Sequence, residues 1–182
     1  MLPRGNEKPI GLLSATIRRV LSSIPIPPVP LKRKTLPTPS TLPAKYIVLP
    51  TYNEIGNLEA MTGRILEVLP DARIVVVDDN SPDGTGEVAD RLARANPRIE
   101  VIHRTGKEGL GVAYRTAFRE LLSRSDCDTV IQMDCDFSHD PSDLRRLLAR
   151  LEDGADLVIG SRYVSGGSTP GWSLRRRRMT KL

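Results

Sequence analysis

The succession of apolar runs along this chain predicts an α/β fold: a three-layer arrangement with a central, mostly parallel sheet and helices on both faces. Three observations carry that reading. From residue 45 onward, short apolar runs alternate with longer runs of helical spacing. The run at 73–77, Arg-Ile-Val-Val-Val, is β-branched throughout after its first residue, the pattern of a strand buried on both faces. Acidic stretches follow several of the apolar runs, and in open α/β sheets ligands bind at the C-terminal strand ends.

The elements follow in order. Residues 45–49 form a short apolar strand closed by Pro50, whose ring fixes the backbone as it leaves the sheet. Residues 55–69 read as a helix stopped by Pro70, 73–77 as a strand, 83–95 as a helix ending before Pro97, and 99–103 as a strand. A helix over 109–123 has Val112, Phe118, Leu121 and Leu122 as its apolar members. A strand at 128–133 precedes a helix at 142–151, for which Asp140 or Ser142 is the cap, and 156–159 is a last strand. Five strands alternating with four helices give the layered sheet. There is no internal repeat.

A chain of 182 residues holds one domain plus additional segments. Its formal net charge of +5 is unevenly placed. Residues 1–45 carry eight Lys or Arg and one acid, Glu7, while 162–182 carry six Lys or Arg and no acid. The stretch 46–161 has 13 basic and 21 acidic residues, a net of −8. An acidic body with basic ends argues against a nucleic-acid fold; the ends suit phosphates or an anionic membrane surface. Two cysteines, Cys127 and Cys135, form neither a disulfide framework nor a zinc pattern and read as buried thiols in a reducing compartment. No apolar run approaches a membrane span, and Arg18 and Arg19 interrupt the one candidate signal region.

Residues 1–44 read as a Pro-rich, basic and largely disordered extension ahead of a folded domain at 45–182. Within the extension Leu13, Ile17, Val20, Leu21 and Ile24 recur at helical spacing. That stripe is open to three readings: a transient helix in a floppy tail, an amphipathic helix on a membrane surface, or an organellar address.

The chemistry lies after the strands. Pro50-Thr51-Tyr52-Asn53-Glu54 offers an aromatic face for a base and a carboxylate for base or ribose donors. Val77-Asp78-Asp79-Asn80-Ser81-Pro82-Asp83 lacks the alternation of a calcium loop; its acids either bind a nucleobase or ribose, or Ser81 or Asp83 caps the next helix. Gly106-Lys107-Glu108-Gly109-Leu110-Gly111 is neither a P-loop nor a dinucleotide fingerprint, since Tyr114 stands where a third glycine belongs; its glycines let the chain turn close to sheet or ligand. Asp134 and Asp136, one residue apart at a strand end, repel each other unless a cation lies between them, and hard cations take oxygen ligands. Ser138 offers a third oxygen, His139 reads as a structural loop histidine, and the Cys135 thiol does no chemistry. Arg162 can fork onto a phosphate, and the run at 175–178 is either a solvated face or a second phosphate site.

Together these stretches, with Leu110-Gly111-Val112-Ala113-Tyr114, Gly160-Ser161-Arg162-Tyr163, and Gly171-Trp172-Ser173-Leu174 and the arginines after it, resemble family 2 glycosyltransferases, and within them the dolichol-phosphate and polyprenol-phosphate mannosyltransferases. The resemblance runs from about residue 45 to Leu182. It implies a GT-A fold and inverting transfer of mannose from GDP-mannose to a polyprenyl (dolichyl) phosphate, with Mg²⁺ or Mn²⁺, on the cytoplasmic face of a membrane by peripheral contact. By position it places Pro50, Tyr52, Glu54, Val77 and Asp79 along the nucleotide. Asp134, Cys135 and Asp136 face the diphosphate and metal, Ser138 is a further ligand, and Arg162, Arg176 and Thr180 contact the acceptor phosphate. Asp136 and Arg162 are the expected catalytic residues. Alanine is usual at Cys135, and relatives continue beyond Leu182, which implies a domain whose C-terminal part is missing. Transfer of another sugar such as glucose, or a non-catalytic nucleotide-sugar-binding chain, are the alternatives.

Overall fold

The computed structural model describes residues 15–18 and 43–161. In chain order these form β1 (Ala15–Arg18), β2 (Ala44–Thr51), α1 (Leu58–Val68), β3 (Arg73–Asp78), α2 (Thr85–Ala95), β4 (Ile99–His103), α3 (Leu110–Leu122), β5 (Cys127–Gln132), a 3-10 turn (Pro141–Asp143), α4 (Leu144–Glu152) and β6 (Leu157–Ile159). The strands make one sheet in the order β4-β3-β2-β5-β1-β6. Neighbours from β4 to β5 are parallel, whereas β1 runs antiparallel to both β5 and β6.

Alternation of side chains along β2 explains the layers. Ile47 and Leu49 face one way and join Leu58, Met61, Ile65 and Val68 of α1, Ala89 of α2, and Leu144, Leu148 and Leu151 of α4. Tyr46 and Val48 face the other way and pack with Ala113, Ala117 and Leu121 of α3. Each helix buries one stripe at three- and four-residue spacing. Three helices therefore cover one face and α3 covers the other, as the alternation of runs implies.

Strand order positions the site. From β2 the chain moves outward through α1 to β3 and through α2 to β4. Helix α3 then returns it across the opposite face to β5, on the other side of β2. The direction of winding reverses between β2 and β5, and such a reversal opens a crevice beyond the C-terminal strand ends.

Three expectations are corrected. Residues 15–18 lie in the sheet as a strand, so a helix does not describe those four residues: Thr16 and Ile17 are β-branched, and two open ladders, on β5 and β6, satisfy their backbone groups; residues 1–14 and 19–42 of the expected extension lie outside the described residues. Helix α1 begins at Leu58 rather than 55, because the preceding amides are drawn to the neighbouring loop. Neither cap candidate caps α4, whose cap position is Asp143 without a side-chain bond; Asp140 instead caps the preceding 3-10 turn, accepting the Ser142 amide at 2.9 Å.

Toward the N-terminal strand ends lies a polar network. Arg124 donates to both carboxylate oxygens of Glu100 at 3.0 and 2.7 Å and to Glu120 at 2.8 Å, with its guanidinium 5.2 Å from the Tyr46 ring centre. The Tyr46 hydroxyl donates to Asp126 at 3.1 Å and accepts from Arg73 at 3.0 Å. Glu100 is buried. Arg124→Met would strand its charge and should lower the unfolding free energy by about 3 kcal/mol, read as a reduced urea midpoint at unchanged slope.

Candidate active site

The loops beyond β2 and β3 are bound into one unit. Thr51 donates its hydroxyl to Asp78 Oδ1 at 3.1 Å. Ser81 donates to the same carboxylate from its hydroxyl at 2.6 Å and from its amide at 3.1 Å. Beyond this buried knot, three successive amides reach across: Asn53 to Ser81 Oγ at 3.1 Å, Glu54 to Thr85 Oγ1 at 2.9 Å, and Ile55 to Asp83 Oδ2 at 3.2 Å. The other Asp83 oxygen accepts the Thr85 amide and hydroxyl at 3.0 and 2.6 Å, and the Thr85 hydroxyl leads the effects that hold this carboxyl below the usual carboxylate range. Ser81 and Asp83 are thus straps; Asp83 also accepts the first amide of α2, whose cap position is Gly84. Gly86 lets α2 close over the knot: a Cβ there would lie 3.1 Å from Asp78 Oδ2 and 3.4 Å from His103 Cε1.

Between the ends of β2 and β5 opens a cleft of about 220 Å³. Pro50, Thr51, Tyr52 and Glu54 line it from β2, Asp79 from β3, Lys107, Gly109, Leu110 and Ala113 from the start of α3, and Asp134, Cys135 and Asp136 from β5. Glu54 accepts from Asn57 Nδ2 at 2.7 Å. Asp79 is buried and meets Arg104 Nη1 at 2.6 Å; burial nonetheless pushes its carboxyl above the usual range. The Lys107 ammonium sits 4.0 Å from the centre of the Tyr52 ring.

The β5 carboxylates are fixed from several sides. Asp134 Oδ1 accepts from the Tyr114 hydroxyl at 3.2 Å. Burial, with the Asp134 charge beside it, raises the phenol far above its ordinary value, so Tyr114 stays protonated and remains a donor. The Asp134 amide donates to His139 Nδ1 at 3.0 Å, which assigns the neutral ring's proton to Nε2, 3.8 Å from Asp134 Oδ2. His139 is buried in this structural role, as the sequence suggests. Asp136 is exposed, and its Oδ1 accepts the Ser138 amide at 2.9 Å. Partial burial raises its carboxyl, but hydrogen bonds from the Ser138 side chain and amide outweigh that and leave it below the usual range. Between them Phe137 holds a φ of +58°, a sharp turn in a non-glycine residue.

The donors suit a hard divalent ion. Asp134 and Asp136 supply oxygens, and the Cys135 thiol is buried and protonated, so it offers no soft competitor. Among the described residues no group of three or more His, Cys, Asp or Glu is arranged to hold a metal. Two carboxylates fit an ion that takes its remaining ligands from phosphate and water, the habit of Mg²⁺.

Of the expected site residues, Pro50, Tyr52, Glu54, Asp79, Asp134, Cys135 and Asp136 converge on the cleft. Val77 is fully buried in the core with Ala113 and Ala117 of α3, and its side chain is not part of the lining. Ser138 stands behind Asp136 as a donor to it. Arg162, Arg176 and Thr180 lie outside the described residues. Sequence reasoning did not assign Lys107, Arg104 or Tyr114 to the site. Lys107 is hidden in a stretch whose glycines read as a turn, and Tyr114 counts as evidence against a fingerprint and as part of a stretch that carries the resemblance, with no role assigned to it.

Comparison with known proteins places this geometry in a family. The model of glycosyl transferase family 2 matches residues 46–182. The polyprenol monophosphomannose synthase of Mycolicibacterium smegmatis is 49% identical over 146 residues, covering 80% of this chain and 53% of that protein. The undecaprenyl-phosphate mannosyltransferase of Micrococcus luteus is 48% identical over 130 residues, covering 71% of this chain and 53% of its own length. The chain spans about half the length of these curated relatives. Among solved structures, the mannosyltransferase PcManGT from Pyrobaculum calidifontis, in complex with GDP-Man and Mn²⁺, aligns with a TM-score of 0.44 and 28% identity over 59% of this chain and 31% of its own.

Burial first, then the charges of Glu54, Asp136 and Asp134, push the Cys135 thiol up to about 12. At pH 8 that leaves roughly one thiol in ten thousand ionised. Iodoacetamide in metal-free buffer at pH 8 should therefore leave Cys135 unmodified in the folded chain and alkylate it in urea, as mass spectrometry of peptides would record.

Proposed function

The chain belongs to glycosyl transferase family 2, and we propose that it serves the metal-dependent, inverting transfer of mannose from GDP-mannose to a polyprenyl (dolichyl) phosphate, in peripheral contact with the cytoplasmic face of a membrane. The observation that carries this reading is the convergence of Tyr52, Glu54, Asp79, Asp134 and Asp136 on one cleft at the reversal point of the sheet. Its closeness in sequence to proteins named for mannosyl transfer to polyprenyl phosphates supports the sugar and the acceptor. No helix among the described residues is long and apolar enough to cross a membrane, which is compatible with peripheral contact.

Each residue then has a task. Tyr52 offers its ring to the base, and Glu54 accepts from base or ribose donors. Asp79, held by Arg104, adds a second acceptor at the nucleotide end. Asp134 and Asp136 hold Mg²⁺ or Mn²⁺, with Tyr114 and the Asp134–His139 hydrogen bond keeping Asp134 in place. When bound, the ion supplies positive charge against the donor diphosphate and the departing GDP. The acceptor phosphate is already anionic, so no side chain need act as a general base. Attack on the anomeric carbon from the face opposite GDP yields a β-linked product from an α-linked donor. Arg162, Arg176 and Thr180 are assigned to the acceptor phosphate on the sequence resemblance alone.

Calorimetric titration of GDP in Mn²⁺ buffer tests the site, and transfer of labelled mannose or glucose to a polyprenyl phosphate tests the chemistry. Asp136→Asn should weaken metal-dependent GDP binding at least about a hundredfold and abolish transfer, with GDP-mannose preferred over UDP-glucose by the parent chain. Retention of full metal-dependent binding by Asp136→Asn would refute the site.

A further inference from the structure

We propose that Lys107 is a positioning residue of the donor site: in the free protein its ammonium occupies the face of Tyr52, and on nucleotide binding it yields that face to the base and pairs with the diphosphate. This rests on the reading of the cleft as a nucleoside-diphosphate site.

Charge within the cleft motivates the assignment. Its lining includes four carboxylates, Glu54, Asp79, Asp134 and Asp136, and one cation, Lys107. The neighbouring cation is committed elsewhere, for Arg104 is buried with Nη1 on Asp79 at 2.6 Å and Nη2 on Glu108 at 3.1 Å. Lys107 has no carboxylate within ion-pairing distance among the described residues; what it touches is the Tyr52 ring, at 4.0 Å. A cation over an exposed aromatic face is held weakly. A nucleobase seeking the same face offers a larger flat surface, so the two compete for one position.

Local backbone permits the exchange. Lys107 lies between Gly106 and Gly109, and a Cβ added at either would meet nothing within 4 Å. Gly109 has a φ of +96°, which ends the stretch just before α3. The ammonium rides on a flexible four-carbon stem and can leave the ring without moving the sheet. Once displaced it remains at the wall of a cleft that Asp134 and Asp136 also line, where the diphosphate is to lie. A nucleoside diphosphate thus recovers the displaced cation as a phosphate partner, whereas a bare nucleoside only evicts it. Lys107 thereby favours the phosphorylated ligand.

Titration of the full 182-residue chain with GDP and with guanosine, both in Mn²⁺ buffer, separates the possibilities. Lys107→Gln should weaken GDP on the order of tenfold, while guanosine binds as tightly as before or tighter. Lys107→Arg should restore GDP to near the parent affinity. Equal weakening of both ligands, or no change in either, overturns the proposal while leaving the nucleotide site intact. Failure of the parent chain to bind GDP overturns both this proposal and the reading it rests on.

Discussion

Thr51, at the end of the central strand, donates its hydroxyl to the buried Asp78 carboxylate, and the loop beyond β3 folds back to donate twice more to the same group. A carboxylate away from water demands such partners. Here one partner, Thr51, lies 27 residues away along the chain, so satisfying one carboxylate fixes the distance between two strand ends. The amide straps from Asn53, Glu54 and Ile55 extend that bond outward and join the two loops. Tyr52, Glu54 and Asp79 inherit their placement from this knot, although none of them touches the Asp78 carboxylate.

Much of this was legible in the sequence where local pattern and tertiary demand agree. The β-branched run at 73–77 could only be a strand with both faces covered, and it is. Asp134 and Asp136 announce a polar rim because charges have no other reason to follow an apolar run directly. Residues 15–18 were illegible for the opposite reason. The stripe of Leu13, Ile17, Val20, Leu21 and Ile24 that runs through them has helical spacing, whereas their pairing with two strands more than a hundred residues away favours the extended form. The roles of Ser81 and Asp83 were half legible: their types announce hydrogen bonding, but whether to a ligand or to a neighbouring loop depends on which strand lies beside β3. Tyr114 and Lys107 depend on the same information, since only the return of α3 across the sheet brings them to β5 and β2.

The two ends of the sheet solve opposite electrostatic problems. At the N-terminal strand ends, Glu100, Glu120 and Asp126 are answered within the fold by Arg124 and Arg73. At the C-terminal ends the acids outnumber the cations facing them. Asp134 and Asp136 receive neutral hydrogen-bond donors, which orient them without cancelling their charge. An acid held in this way is supported for binding a cation from outside. Arg104 is the exception, and its pairing with buried Asp79 keeps that acid from adding its full charge to the same space.

The antiparallel strand β1 has a temporal consequence. Among the described residues it bridges β5 and β6 in the sheet order, so Thr16 pairs with Ile131 on one side and Val158 on the other. Contacts between such distant parts of a chain form slowly, because the intervening loop must first be closed. Because β1 precedes β5 and β6 in the chain, it stays unpaired during synthesis until both have emerged. The parallel core from β4 to β5 can then assemble before β1 joins it, and β6 is added to the sheet through β1.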